Sequence, residues 1–493
     1  MSPTLRKSLI ALGAVILVGG GGFAYLMHGN VSQLPIEQME GRKPKLVDPE
    51  PETFPTVGLV KSVGWAANEA PIAAQGLSVS RFATGLQHPR TILTLPNGDV
   101  LVAETGAPKD NGPGGITGFF QNIFMGFVGA GDPSPNRIVL LRDSKGTGVA
   151  DQRFVLREGL SSPSGMAYGD GKLYIANHDA VLAFDFQPGA TSLTAAPKKL
   201  MDLPPAGNHW MRNLVLSPDG KHLYVAIGSA SNIGERGPKA EEGRATIYEI
   251  DIASGHARRY AMGLRNANGM AWNPSTQELW TVVNERDQLG PDLVPDYLTN
   301  VPVGSHYGWP WFYWGKNEDN RVYQNTPEFQ MPEFLIDYVR KPEYALGPHV
   351  AALGLTFVKG GEKMGAHYAN GAFIARHGSW NRKPPVGYDV VFVRFDANGN
   401  PQGLPEKVLT GFLKPDGEAH GRPTWLSFAQ DGALLVSDDT GGIIWRVVAP
   451  GAAPAAEIKP VVVKHLPPQK DLNGDPEIQY RLKFKDDQKV QEN

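Results

Sequence analysis

Cysteine is absent from the 493 residues. Disulfides, thiolate metal sites, iron–sulfur clusters and covalently attached c-type haem are thereby excluded within this chain. Sustained helical periodicity is scarce, which argues against a helical bundle. Charge of one sign is also lacking: the formal balance is −3, so no nucleic acid or other polyanion is implied as a partner. Long apolar runs are missing with one exception. Arg6 and Lys7 precede an uncharged stretch from Ser8 to Ile36, whose apolar centre runs from Leu9 to Met27, about the ~20 residues that cross a bilayer. Basic residues before it, with Glu37 and Glu40 after it, orient the N-terminus inside and the rest outside. The segment GGGGFAYLMHGN shows no clear small-x-small cleavage site, so residues 1–30 read as an uncleaved signal anchor rather than a removed signal peptide. The expected location is the periplasmic side of a bacterial inner membrane.

What the chain has in quantity is glycine (58) and proline (41). Frequent turns and few helical patterns indicate an all-β protein. Residues 31–75 are rich in Pro, Glu and Lys without periodicity, and read as a linker that lifts the domain off the membrane or wraps around it. Residues 450–493 read as a tail, Ala-Pro-rich and then charged, with one strand at Ile478 to Phe484. Between them, 76–449 repeats one phrase: an apolar strand, a Gly-containing turn and a second alternating strand. The copies start at Gly85, Gly159, His209, Gly263, more loosely at Gly354, and at Arg422, with turns such as PNG, GDG, PDG and QDG. Such turns join hairpins. Six copies, each with room for about four strands, predict a six-bladed β-propeller, whose blades bury their faces only in a closed ring. An apolar, Gly-rich insertion from Asn111 to Pro135 carries Phe119, Phe120, Phe124 and Phe127; it reads as a loop folded over the rim or as a patch dipping into the membrane interface.

In a propeller the residues just ahead of each inner strand converge on one mouth of the central channel. Here they are His88 and Arg90, His209 and Arg212, Arg265 and Asn266, His349, and Arg422. That basic and imidazole ring suits an anionic ligand bearing carboxylates, which Arg forks match in geometry. The densest chemistry lies between Gly263 and Trp314, where RNANGMAW is followed by an acidic loop and HYGWP.

These motifs, together with NERDQLGPDLVPDYLTNVPVGSHYGWPW and ARHGSWNR, resemble the pyrroloquinoline quinone (PQQ) and calcium-dependent sugar dehydrogenases related to soluble glucose and aldose sugar dehydrogenases. The wording is similar to the L-sorbosone dehydrogenase branch. The resemblance spans Phe82 to Val448. It implies PQQ and Ca2+ as cofactors and His209 as the catalytic base. That histidine would take a proton from a sugar hydroxyl or hydrated aldehyde while hydride passes to the quinone. The family's orienting carboxylate is replaced by Ser229, with Glu235 as a candidate substitute. Arg265, Asn266, Arg422 and Asp438 match residues at the cofactor, Thr424 stands where a second arginine is common, and Arg382 stands in for a cofactor-contacting lysine, with Trp380 beside it to stack on a flat ring. Calcium takes six to eight oxygens, and the loop bearing Glu285, Asp287, Gly290, Pro291 and Asp292 offers carboxylates and free carbonyls. Trp309, Trp311 and Trp314 are expected to pack beneath the site. Electrons would leave to an external acceptor, ubiquinone or a cytochrome. Two other readings share the fold: a calcium-dependent lactonase in which metal and His209 activate water, and a non-catalytic propeller that binds glycans or proteins.

Overall fold

The computed structural model describes residues 20–21, 31–52, 58, 60–108, 134–205, 207–321 and 330–461. Among these residues six antiparallel sheets of four or five strands follow one another along the chain, beside a two-stranded ribbon of Phe312–Tyr313 and Asn317–Glu318. The first pairs β4 (Pro89–Thr94), β5 (Val100–Glu104), β6 (Arg137–Arg142) and β7 (Gln152–Arg157) in that order. The second and third are β8 (Gly165–Gly169) to β11 (Lys198–Asp202), and β12 (Arg212–Leu216) to β15 (Ala257–Met262). In the fourth, β16 (Ala267–Trp272), β17 (Leu279–Val283) and β18 (Pro295–Asn300) are followed by β21 (Tyr344–Pro348). The fifth runs from β22 (Ala352–Phe357) to β25 (Pro401–Thr410).

The sixth blade closes the ring. Its strands β26 (Pro423–Phe428), β27 (Leu434–Asp438) and β28 (Ile443–Val448) take β3 (Ser78–Ala83), from the start of the domain, as their outer strand. The register places Ser78 opposite Val448 and Ala83 opposite Ile444, so the first and last segments are locked together by a ladder of backbone hydrogen bonds. The inner strands β4, β8, β12, β16, β22 and β26 lie side by side around the channel. The six-bladed architecture expected from the repeats is therefore the observed one.

Within a blade the turn chemistry is local. After β12, Gly220 donates its N–H to Ser217 O at 2.9 Å with φ 72°, while Ser217 N bonds to His222 O at 2.8 Å. Only glycine adopts that φ without cost, and the reversal sends the chain back as β13 (His222–Ile227). Between blades the contacts are apolar. Trp445, Val436, Phe373 and Phe392 share one core cluster, and Leu223, Val225, Ala167 and Tyr174 share another.

Of the two readings of residues 31–75, the described part of the stretch follows the one that wraps around the domain. Its strands β1 (Glu40–Gly41) and β2 (Ile72–Ala73) add fifth strands to the fourth and fifth blades. Glu40 is buried against Arg376 at 2.6 Å, and Arg376 also pairs with Asp389 at 2.6 Å. Burial raises the Glu40 pKa against the pull of Arg376. Trp65 donates Nε1–H to Asp438 at 2.7 Å and stacks on His420 with centroids 4.6 Å apart. A Pro-rich sequence without periodicity can thus be a belt whose order comes from contacts with the ring. Nearly all of the anchor, the Phe-bearing part of the insertion and the strand expected at Ile478 to Phe484 lie outside the described residues. Among the described residues no helix is long and apolar enough to cross a membrane.

Candidate functional site

All six inner strands start at the same mouth of the channel, and there the titratable side chains gather. His209 sits just before β12. Its Nδ1 lies 2.9 Å from both Ser229 O and Ser229 Oγ, and that hydroxyl donates onward to Ser231 O at 2.6 Å. Both partners of Nδ1 act as acceptors, so Nδ1 carries the proton and Nε2 presents a lone pair. Burial, followed by the nearby Arg265 charge, pushes the His209 pKa down to about 3. The imidazole is a neutral base at ordinary pH. The orienting partner is therefore Ser229 itself. Glu235, the suggested substitute, instead accepts from the N–H groups of Asn232 and Ile233. Asn266 lies against His209 through Gly228, where an added Cβ would come within 2.5 Å of both Asn266 Oδ1 and His209 Cβ.

Arg265 has no N–H to spare. Nε donates to Asn232 O at 3.1 Å, Nη1 to Asn284 O at 3.2 Å and Glu285 O at 2.7 Å, and Nη2 to Asn232 Oδ1 at 2.9 Å and Asp287 Oδ2 at 3.3 Å. All five donors of the guanidinium are used, tying the acidic loop to Asn232. Asn232 is braced in turn by Trp309, whose Nε1 donates to Asn232 O at 3.0 Å. Trp309 and Trp314 are buried, and Trp314 packs in the core with Tyr297.

The acidic loop is clamped from all sides. Asp287 receives Asn381 Nδ2 at 2.9 Å and faces His349 Nδ1 at 3.4 Å. Burial alone would raise its carboxyl, but the His349 hydrogen bond and the Arg265 charge outweigh that and bring it to about 2. Glu285 receives a backbone N–H from Arg286 at 3.1 Å, and burial pushes it up to about 7. Gly290 O accepts from His349 Nε2 at 3.0 Å and Pro291 O from Arg382 Nε at 2.9 Å. Asp292 is held by Ser32 Oγ at 2.5 Å, Gln33 N at 3.0 Å and Arg382 Nη2 at 3.1 Å. His349, expected at the channel mouth, is thus a clamp under this loop. Arg382 departs from its expected role as well: it is 2% exposed and committed to Pro291, Asp292, Ser32 and Pro384. Arg212 is likewise sealed in the blade, donating to the carbonyls of His209, Met211 and Pro204.

A second group converges beside His209. His88, Arg90, Trp210, His377, Arg422 and Asp439 line a cavity of about 110 Å³. Arg90 pairs with Asp439, lies over the Trp210 ring at 5.8 Å and reaches Met211 Sδ at 3.0 Å. His377 Nε2 is 3.0 Å from the same Asp439 carboxylate. Burial opposes ionisation of Asp439, but the His377 and Arg90 charges hold it far below the usual carboxylate range. Burial lowers the His377 pKa despite Asp439. Arg422 lies over the Tyr388 ring at 4.9 Å. The neighbouring Asp438 requires a correction: its carboxylate faces into the blade. Asp438 accepts from Arg422 N and Gly441 N at 2.8 Å each, Trp65 Nε1 at 2.7 Å and Trp445 Nε1 at 3.2 Å, and burial pushes it up to about 6. Successive strand residues face opposite sides, so the DD pair sends one carboxylate to the core and the next to the cavity. Asp439, His377, Asn232 and Asn381 escaped sequence reasoning. The doubled aspartate and the His-Gly pair opening HGSWNR were the available signals.

A profile of the TrAA12-like family matches residues 137–300 and 334–450. The chain is 24% identical over 440 residues to the pyrroloquinoline quinone-dependent pyranose dehydrogenase of Coprinopsis cinerea, covering 77% of this chain but only 55% of that protein. It is 23% identical over 429 residues to the pyrroloquinoline quinone-dependent sugar dehydrogenase of Hypocrea jecorina, covering 76% of this chain and 89% of that one. A Trichoderma reesei structure of Carbohydrate-Active Enzymes Family AA12 superposes with a TM-score of 0.61 at 22% identity, over 78% of this chain and 99% of the other, a likeness of fold. With the profile matched over more than half its length, the chain belongs to the TrAA12-like family.

Proposed function

We propose that the protein is a PQQ- and calcium-dependent dehydrogenase that oxidises an aldose or sugar aldehyde to the lactone or acid, with His209 as the general base. The observation that carries the reading is a neutral imidazole, fixed through Nδ1 and presenting Nε2, beside a cavity ringed by Arg90, Arg422 and His377. Arg90 and His377 already pair with the ionised Asp439 there, and the forks of Arg90 and Arg422 suit the carboxylates and plane of a flat anionic ligand. Asn381, whose Nδ2 donates to Asp287 at 2.9 Å, keeps a buried Oδ1 without a partner beside the acidic loop. For calcium the loop offers oxygen alone: Glu285, whose carboxyl is under-compensated, and the carbonyls of Gly290 and Pro291, each of which accepts one hydrogen bond and keeps a second lone pair; the Asp287 carbonyl is already taken by Asn232 and Arg286. Among the described residues no three carboxylate or imidazole side chains gather at metal-ligand spacing, so carbonyls would supply much of the set.

When bound, PQQ would supply an electrophilic carbonyl that accepts hydride from the sugar. His209 Nε2 takes the hydroxyl proton, and Ser229 holds the imidazole in the tautomer that allows this. Arg265 keeps the loop from Asn284 to Asp287 in place. Arg90 and Arg422 hold negative charge that would otherwise repel hydride. The electrons pass to ubiquinone or a cytochrome, and the N-terminal run anchors the protein on the periplasmic face. The substrate panel for the test includes L-sorbosone with common aldoses. Dye-linked oxidation by cofactor-free protein should need PQQ with calcium and fall about 10³-fold in His209→Ala. Lactone hydrolysis in calcium alone, with no PQQ binding, would replace this reading with the hydrolase.

A further inference from the structure

The six inner strands end, one strand length from the charged mouth, in a different chemical setting. A strand of five or six residues spans about 17–20 Å. At that far end a cavity of about 550 Å³ is lined by Met166, Tyr168, Leu214, Met270, Trp272 and Trp425, among others. None of these six carries a charge, and the two charged lining residues, Lys359 and Glu457, are exposed; Tyr168, Trp272 and Trp425 are half-buried, with aromatic surface left uncovered. Trp272 is fixed by its Nε1–H to Leu216 O at 2.8 Å. Thr91 lines the same cavity, is 2% exposed, and its Oγ1 has no hydrogen-bond partner. A strap from the C-terminal segment borders the mouth, through Ile458 N to Lys359 O at 3.0 Å and Val461 N to Ser275 O at 2.7 Å.

We propose that this far mouth binds a small neutral quinone, the acceptor that takes the electrons away. The inference rests on the dehydrogenase reading for its role, but not for the binding itself. The volume falls in the range of small-molecule sites, and such sites are apolar with few placed polar groups. Flat aromatic walls suit a flat ring. The unpartnered Thr91 hydroxyl suits a carbonyl oxygen, since a buried donor gains most from an acceptor it otherwise lacks. In the balance, the sugar loses its C1–H and hydroxyl O–H bonds and gains C1=O, giving up two electrons and two protons. The acceptor quinone takes up both pairs and becomes the quinol.

The test separates binding from turnover. A short-chain ubiquinone with one isoprene unit is titrated by calorimetry into protein free of PQQ. Wild type should bind it, Thr91→Val should bind about tenfold more weakly, and Leu216→Trp, which fills the cavity from a half-buried position, should not bind. In the PQQ-loaded enzyme Leu216→Trp should lose turnover with this quinone while keeping turnover with a soluble dye, which also shows that the variant folds. No binding by wild type, or undiminished binding in both variants, overturns the assignment. Binding that appears only after the chain is cut behind Ala449 overturns it too, because the strap would then be the natural occupant. Quinone binding that follows the expected pattern in a protein unable to oxidise any sugar would sink the dehydrogenase reading and leave the cavity assignment standing.

Discussion

The two ends of the central channel are built from the same six strands, yet at one end Arg90, His209, Arg265, His377 and Asp439 converge, and at the other Met166, Leu214, Met270, Trp272 and Trp425. The difference lies in what each end can offer a buried charge. At the first, loops rather than strand pairs supply the neighbours, so Arg265 finds three carbonyls, one amide oxygen and one carboxylate. At the second the neighbouring backbone is largely consumed in ladders and turns, and an unpaired charge would cost several kcal/mol. Chemistry therefore gathers where the backbone is irregular.

The sharpest way to test the contrast is at the charged end. His209→Ala should lower kcat about 10³-fold, within the range of a general base, while PQQ affinity measured by fluorescence titration stays within about threefold. Arg265→Leu should destabilise the protein by about 3–5 kcal/mol in denaturant unfolding, because it orphans buried partners. Arg265→Lys should not rescue, since a point charge cannot reach five acceptors. If lysine restores both stability and PQQ binding, the guanidinium is not the tie described. A smaller effect is expected at the cavity beside it: Arg90→Ala should weaken PQQ binding about tenfold with little change in kcat at saturation.

The pH dependence follows from His209. Its folded pKa, about 3, lies below the ordinary value, so the unfolded chain takes up the proton first. This group therefore lowers stability as pH falls from about 6.5 towards 3 and contributes no change above that window. Nitrogen NMR of the cofactor-free protein should find the imidazole still neutral at pH 5. Titration near 6.5 would mean that the ring is solvated and poorly fixed. The smallest effect should come from the apolar end, where Tyr168→Phe is expected to leave dye-linked turnover within about twofold.

The repeats were legible because each hairpin turn carries its own chemistry, as at Ser217 to Gly220. His209 was legible for the same reason: it opens a repeat. The partners were not. Arg265 and Arg382 are arginines at the expected places, but sequence does not show that carbonyls from Asn232, Asn284, Glu285 and Pro291 consume their donors. Asp438 and Asp439 differ only by the side of a strand they face. The belt from Val31 was legible only as one of two readings because its order is entirely tertiary: Glu40 finds Arg376 and Trp65 finds Asp438 across more than 300 residues of chain.

The most direct measurement is dye-linked oxidation of an aldose and sugar-aldehyde panel by purified cofactor-free protein, with PQQ and calcium added separately and together, for wild type and His209→Ala. The account predicts turnover only when both are present, about 10³-fold slower in His209→Ala than in wild type. Equal turnover in His209→Ala, or sugar oxidation without PQQ, would contradict it.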